Sequence, residues 1–498
     1  MKVLTAKGGE IVISDDLRAI VALLDDGRLM VSRSKIFDPH VRGFMGRLSH
    51  LKKEFTVQQC DLSVIEGFYK ESTSTETHSN MQVTAIQLFD RAVEARASDI
   101  HIRVSSRNRT QILFRVHNDL TFVEEHTYEF GDQLCTTIFQ AMADVSDATF
   151  EKMSRQDARI SERSKIPRNL DGIRIATSPQ VDGYIVVLRL LYNDAAKDLD
   201  LSRLGFDANQ SAAVETLKKK PTGVVLIGGP TGSGKSTTLQ RILSSIISVS
   251  QGRKHVITVE DPPEYPIIGA VQTPVTNADS EEDRAREYQK AIKAAMRLDP
   301  DIIMISEVRD NPTGRLAVQA AMTGHQVWTT VHANSALAII DRLIDLGVSH
   351  ALITDPTIVA GLVCQRLVKQ LCPHCRQPLS DHLHDFETRT QERFMRVLNV
   401  GSVFVQGAGC PHCKNSGTTG RTVVAETIVT DERLMSYLRQ NDRMGAHEYV
   451  RKELGVISML EHAIQKINEG LIDPLQAEDV VGPLSTVAAE PERLALVA

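Results

Sequence analysis

The sequence predicts an α/β protein built on a mostly parallel sheet with helices on both faces, and three observations carry that prediction. Apolar runs of β type at 224–227, 256–259, 302–305 and 327–331 are separated by segments of helical spacing, the order that crossover connections require. The first run leads straight into Gly229-Pro230-Thr231-Gly232-Ser233-Gly234-Lys235-Ser236, and a helical pattern follows from Thr237, so strand, glycine-rich loop and helix succeed one another as at a P-loop. Over 498 residues, 42% are apolar and 24% charged, an ordinary globular balance with length for about three domains.

Ahead of that sheet, residues 1–70 mix short apolar runs such as 20–24 with charged segments and hold no motif of chemical meaning. The polar stretch 71–80 reads as a linker. Residues 81–195 read as a compact α+β unit: 83–97 has helical spacing, 100–104 and 111–116 alternate as strands do, and 171–191 looks like a hairpin turning at Asp182-Gly183. The sheet-forming core is expected over 200–365. From about 350 onward the pattern reads as helical and carries the paired cysteines, in an insert at 366–425 followed by a helical part at 426–482; residues 483–498 read as a flexible tail.

A formal net charge of −6 leaves no footprint for broad binding to a phosphate backbone, so no direct nucleic-acid contact is expected. The N-terminus lacks the apolar core of a signal peptide, and no stretch approaches the ~18 apolar residues of a membrane span. The expectation is a cytoplasmic protein that meets a membrane only through a partner. Seven cysteines, an odd number, argue against a complete disulfide framework and suit a reducing compartment.

The glycine-rich loop has the chemistry of a triphosphate site. Its three glycines let backbone N–H groups turn inward around phosphates without side-chain clashes. Lys235 can then reach the β- and γ-phosphates, Ser236 can coordinate Mg²⁺, and Thr237 opens a helix whose N-terminal dipole faces the same charge. Two carboxylates end strands on the side where ligands sit in such a sheet. Glu307, after 302–305, can hold Mg²⁺ through water or polarise the attacking water. Glu260, after 256–259, is backed by Pro262 and Pro263, which fix the backbone, and can orient water for in-line attack. An exposed loop carboxylate and a plain acidic turn are the bland alternatives. His325 and His332 fall at the two ends of the run 327–331, and a neutral histidine near a γ-phosphate can donate a hydrogen bond. His332, following the carboxylate strand, is the preferred one.

These segments together resemble the secretion and type IV pilus assembly ATPases. The resemblance rests on Gly-Pro-Thr-Gly-Ser-Gly-Lys-Ser-Thr-Thr at 229–238, Glu-Asp-Pro-Pro-Glu at 260–264, Asp-Pro-Asp-Ile-Ile-Met-Ile-Ser-Glu-Val-Arg-Asp at 299–310, and the two-histidine segment 323–335, with Ala-Ser-Asp-Ile-His-Ile at 97–102 upstream. It covers roughly residues 80–465. It implies a RecA-like P-loop ATPase domain preceded by a PAS-like α+β domain, with ATP and Mg²⁺ as cofactors. It assigns Lys235 and Ser236 to phosphate and Mg²⁺, Glu260 to the acidic box, Glu307 to the Walker B carboxylate, and His325 and His332 to the His box. It further implies a homo-hexameric ring whose second domain lends Arg159 and Arg174 to the nucleotide, where a planar guanidinium neutralises transition-state charge. The implied partner is an inner-membrane platform protein, with residues 1–70 as a docking domain. Two positions depart from the pattern: Ser306 and Ala158 stand where the family has glycine. Neither removes a charge, so tuning rather than loss of activity is expected.

Cys372-Pro373-His374-Cys375 and Cys410-Pro411-His412-Cys413 are two CxxC knuckles, separated by residues 376–409, a longer interval than usual. Two such turns supply four thiolates for one tetrahedral Zn²⁺ with no open position, hence a structural metal. His374 and His412 are possible substitute ligands, and a redox-active CxxC is the alternative. Cys60, Cys135 and Cys364 read as small buried residues. In the resembled family a tetracysteine insert preceded by Gln365-Arg366-Leu367-Val368 marks the assembly and secretion branch; Gly420-Arg421 also fits, whereas 422–425 departs, and residues 1–70 do not look like the family's long helical N-terminal domain.

The functional expectation is therefore a hexameric ATP-hydrolysing motor that powers type IV pilus assembly or related protein export, with a type II secretion ATPase as the alternative. A nucleic-acid translocase is disfavoured by the negative charge and the 5% aromatic content. A subunit that binds ATP only to hold a ring together is disfavoured by the intact set Lys235, Ser236, Glu260 and Glu307.

Overall fold

The computed structural model describes residues 3–5, 11, 13–36, 38–51, 53, 55–62, 64–65, 80–107, 109–117, 119–146, 149–193, 199–275 and 280–484. Most of the expected linker at 71–80 and of the expected tail at 483–498 lies outside the described residues.

The N-terminal part is a three-stranded sheet, β1 (Val21–Leu23), β2 (Arg28–Ser32) and β3 (Thr56–Cys60), in that spatial order. The helix Pro39–His50 starts where the Asp38 side chain accepts from the His40 N–H and Pro39 fixes the first turn. Its Val41, Phe44 and Leu48, spaced for one helical face, bury against Leu23, Leu29 and Val31.

The next unit is an antiparallel sheet of seven strands: β4 (Ala97–Ser105), β5 (Arg109–Val116), β6 (Asp119–His126), β7 (Val145–Ser146), β8 (Gln156–Ile160), β9 (Leu170–Gln180) and β10 (Gly183–Tyr192). They lie in the order β6-β5-β4-β10-β9-β8-β7. The expected hairpin is β9–β10, with Gly183 opposite Gln180. The helix Asn80–Glu94 buries Leu88, Phe89 and Ala92 against Ile100 and Ile102 of β4, so the period-2 strand and the 3.6-period helix meet on their apolar faces.

The nucleotide-type sheet contains β11 (Gly223–Gly228), β12 (Val256–Glu260), β13 (Val271–Pro274), β14 (Ile302–Ile305), β15 (Gln326–Val331), β16 (Val359–Leu371) and β19 (Thr418–Val429), in the order β13-β12-β14-β15-β11-β16-β19. Every neighbouring pair is parallel except β16–β19. Ile303 and Ile305 face a core with Ala317 and Val318 of the helix Asn311–Met322, whereas Ile302 and Met304 face Leu239 and Ile242 of the helix Lys235–Val249. Both sheet faces are covered, which is why β14 reads as an unbroken apolar run.

The helical reading from about 350 onward is corrected by β16 and β19. Both strands cross the expected boundaries at 365/366 and 425/426. A strand covered on two faces has no alternation to set it apart from a buried helix, and the β-branched character of the run beginning at Val359 was the available signal. Between them, two short strands, β17 (Gln377–Pro378) and β18 (Phe404–Val405), and the helix Thr388–Val397 share a core with the helix Met459–Asn468 through Leu379, Phe394 and Ile467. Among the described residues no helix is long and apolar enough to cross a membrane.

Candidate active site

The P-loop lies between β11 and the helix Lys235–Val249, at the C-terminal edge of the parallel strands. Gly229, Gly232 and Gly234 have φ of +150°, +77° and +85°, backbone that side chains resist. At Gly229 a Cβ would also stand 2.5 Å from the Gln365 carbonyl oxygen. Gln365, fully buried on β16, donates from Nε2 to the Ser233 carbonyl at 2.8 Å and so holds the loop from behind. Lys235 Nζ donates to the Gly229 and Pro230 carbonyls at 2.8 and 3.0 Å. Burial lowers its pKa and the nearby Glu307 carboxylate opposes that shift. Ser233 Oγ is buried without a partner, and the first turn of the helix that begins at Lys235 leaves N–H groups for a phosphate to satisfy.

The loop opens on a cleft of about 650 Å³ between the parallel and the antiparallel sheets. Residues 231–237, Glu260, Glu307, His332 and Arg174 all line it. Glu307 stands just beyond β14 with each oxygen engaged: His332 Nε2 lies 2.7 Å from Oε1 and Arg309 Nε 2.6 Å from Oε2. Glu260 ends β12 and is almost fully buried; Thr258 Oγ1 and Gln272 Nε2 donate to its Oε1 at 2.6 and 2.8 Å. Burial nevertheless raises its pKa, the direction that makes a carboxylate a better proton acceptor near neutral pH.

His325 does not join this group. It precedes β15 while His332 follows it, so the strand holds them at opposite edges of the sheet. His325 Nδ1 is 3.0 Å from the Ala320 carbonyl oxygen and 3.1 Å from Thr323 Oγ1, within its own turn. Arg159 reaches from β8 to the acidic turn, where Nη1 donates to the Pro263 carbonyl at 3.3 Å, without lining the cleft.

The four knuckle cysteines converge. Their sulfurs all lie within 4.8 Å of one another, with Cys372–Cys410, Cys375–Cys413 and Cys410–Cys413 at 3.8, 3.7 and 3.8 Å. Zinc–sulfur bonds of about 2.3 Å in a tetrahedron place sulfurs about 3.8 Å apart, so the set fits Zn²⁺. The N–H groups of Cys410 and Gly417 both point at Cys413 Sγ from 3.2 Å, as hydrogen bonds to a thiolate would. The rings of His374 and His412 lie against each other, centroids 4.2 Å apart and tilted by 50°, and the four sulfurs form the cluster without them.

Residues 75–481 match the family described as Type II/IV secretion system protein. The chain belongs to that family. Among its relatives are the type II secretion system protein E of Dickeya dadantii, 34% identical over 369 residues (74% of this chain and 68% of the relative), and the type II secretion system ATPase E of Vibrio cholerae, 33% identical over 381 residues (76% and 71%). Among solved structures, the pilus retraction motor PilT with bound ADP superposes with a TM-score of 0.52 at 21% identity, over 82% of this chain and 98% of that one, a likeness of fold. As a member of the Type II/IV secretion family, the chain is a secretion-system ATPase.

The cleft of this secretion-family protein is also lined by residues to which the sequence assigned no role. Asp99, in the segment 97–102 that carried the resemblance, is buried and faces Arg189 Nε at 3.0 Å and Arg115 Nε at 4.0 Å, so one carboxylate gathers two arginines at the cleft. Arg421 of β19 lines the cleft from the other sheet. Each of these arginines sits in a strand on the phase opposite to the buried apolar residues, where a basic residue looks like a solvated face, so the sequence alone carried no signal.

Proposed function

We propose that the chain works as a homo-hexameric motor that converts ATP hydrolysis into protein export through an inner-membrane platform protein. The relatives' names favour type II secretion over the type IV pilus assembly that the sequence expectation put first, and the motifs, shared by both, do not separate the two. The observation that carries the reading is the single cleft that joins the P-loop, Glu260, Glu307 and His332 on one sheet to arginines on another.

In this mechanism the N–H groups of 229–237 and Lys235 hold the ATP phosphates, and Ser236 with Glu307, through water, would hold Mg²⁺, which would supply charge neutralisation at the phosphates when bound. Glu260 or Glu307 orients the attacking water, and His332 keeps the Glu307 carboxylate turned toward the cleft. Closing the antiparallel sheet onto the P-loop sheet brings Arg174 to the nucleotide, with Arg159 bracing the acidic turn from the same sheet. Because the two sheets flank one nucleotide, hydrolysis changes their separation, and that movement is the power stroke.

The antiparallel unit at 81–195 serves as the PAS-like partner of a RecA-like core, and residues 1–70 dock the partner. Cys372, Cys375, Cys410 and Cys413 hold a structural Zn²⁺ that supplies rigidity and no chemistry. The protein is placed in the cytoplasm, peripheral to the inner membrane through its partner. The test is ATP turnover with mass determination in solution, for the wild type and Glu307→Gln. A hexamer that turns over in the wild type and stalls in the variant is expected; a wild-type monomer inactive with Mg²⁺ and bound zinc would overturn the motor reading.

A further inference from the structure

The peptide that joins Ser306 to Glu307 lies just past the end of β14, between two backbone bonds to the neighbouring strands, Ser306 N–H to the Val259 carbonyl at 3.0 Å and Val308 N–H to the Thr330 carbonyl at 2.8 Å. Two hydroxyls hold the polar groups in between. Thr330 Oγ1, on β15, donates to the Ser306 carbonyl at 2.6 Å, and the Glu307 N–H donates to Tyr288 Oη at 3.2 Å. The C=O and the N–H of one peptide are thus each held by a side chain from a different element. Tyr288 belongs to the helix Glu281–Ala295, and its own proton is directed to Ser306 Oγ at 2.9 Å or to the Glu307 carbonyl at 3.4 Å. Burial raises the pKa of this phenol, so it keeps its proton and acts as donor and acceptor at once. The residue that completes the arrangement, Ser306, is one of the two positions where the family pattern has glycine.

We propose that Tyr288, paired with Ser306, is a positioning residue for Glu307, fixing the backbone from which that carboxylate reaches the cleft. A glycine at 306 would leave Tyr288 Oη without its hydroxyl partner; the serine turns a helix-to-strand contact into a closed hydrogen-bond circuit around one peptide. Only the phenol oxygen is needed for this, because the Tyr288 ring packs against the core cluster that includes Ala317 and Ala321 and would do so equally as phenylalanine. Misplacing a reacting group by a fraction of an ångström lowers turnover with little effect on ground-state binding.

The inference rests on Glu307 acting in hydrolysis, and the experiment separates the two claims. Steady-state ATPase kinetics and titration with a fluorescent ATP analogue are measured on the full chain for the wild type, Glu307→Gln, Tyr288→Phe, Ser306→Gly and the Tyr288→Phe/Ser306→Gly double variant. Tyr288→Phe should lower kcat about tenfold while KM and analogue affinity stay within about twofold of wild type. The double variant should be no slower than Tyr288→Phe alone, because both changes break one circuit. Unchanged kcat in Tyr288→Phe beside a stalled Glu307→Gln overturns the positioning role alone. A fall in kcat matched by an equal fall in analogue affinity overturns it too, as the mark of a general structural defect. If Glu307→Gln turns over normally, the assignment of Glu307 fails and this proposal fails with it.

Discussion

His332 Nε2 lies 2.7 Å from Glu307 Oε1, so the C-terminal ends of β14 and β15 are tied together through their functional side chains. Arg309 holds the other carboxylate oxygen, which leaves Glu307 oriented but not free to rotate. Glu307→Gln should therefore lower turnover by roughly 10²–10⁴-fold with nucleotide binding retained. His332→Ala, which removes one of two holders, should cost less, roughly tenfold. Turnover and analogue binding measured side by side decide it, and equal losses in both variants would mean that the histidine does more than orient.

Gly229 and Gly232 separate two costs of a P-loop mutation. Gly229→Ala meets the Gln365 carbonyl and Ser233 Oγ, each 2.5 Å from the new carbon, whereas a Cβ at Gly232 meets nothing within 4 Å. Gly232→Ala should cost only the backbone penalty of a positive φ, about 1 kcal/mol, and Gly229→Ala should additionally weaken nucleotide binding at least about tenfold. Comparable affinities in the two variants would refute the claim that Gln365 supports the loop.

The tetracysteine cluster predicts a measurable metal. Purified wild type should carry one zinc per chain, and Cys413→Ser, which removes the sulfur holding two backbone N–H bonds, should carry less than half of that. Thermal melting should fall with the metal content, because the cluster closes the segment between β16 and β19. A wild type purified without zinc, with reduced thiols and unchanged melting on chelation, would remove the metal from the picture.

His462 supplies a pH dependence of stability. It is buried, the N–H of Ala425 donates to its Nδ1 at 3.0 Å, and Gln210 Nε2 stands 3.1 Å from the same atom, so a proton there would displace both contacts. Burial, aided by Lys466 and opposed by Asp207, brings its pKa from 6.5 down to about 4. Between those values the unfolded chain binds the extra proton and the folded chain does not. The stabilisation is therefore complete above about pH 6.5 and falls by roughly 3 kcal/mol as the pH approaches 4. Denaturant unfolding across that window should show the decline, and His462→Gln should flatten it.

The P-loop, the four parallel runs, the two carboxylates and the knuckles were legible because each is local: a loop, an apolar run, a strand-end charge, a paired turn. His325 and His332 were legible as the two ends of one strand with His332 preferred, and the sheet shows that its end of β15 is the one at the cleft. Tyr288 was hidden in a helix where an aromatic reads as packing, and Gln365 in a strand that passed for helix. Asp99 illustrates the limit from the other side: its segment was noticed, but its partners Arg115 and Arg189 come from strands that only tertiary pairing brings alongside.

Beyond Cys364, which pairs with Glu426, β16 leaves the sheet in company with β19 alone, and the two continue as a ribbon to the knuckles. The ribbon's root is pinned to the P-loop by Gln365, and its outer half meets the antiparallel unit, where His117 Nδ1 lies 2.6 Å from Thr418 Oγ1 and Lys369 pairs with Asp119. From Gln365 to Leu371 is about 20 Å at ordinary strand rise, so a tilt of about 5° at the root carries the tip about 2 Å. The ribbon is thus a lever arm in geometry: one continuous pair of strands that touches the P-loop at its root, the antiparallel unit along its outer half and the four-cysteine cluster at its tip.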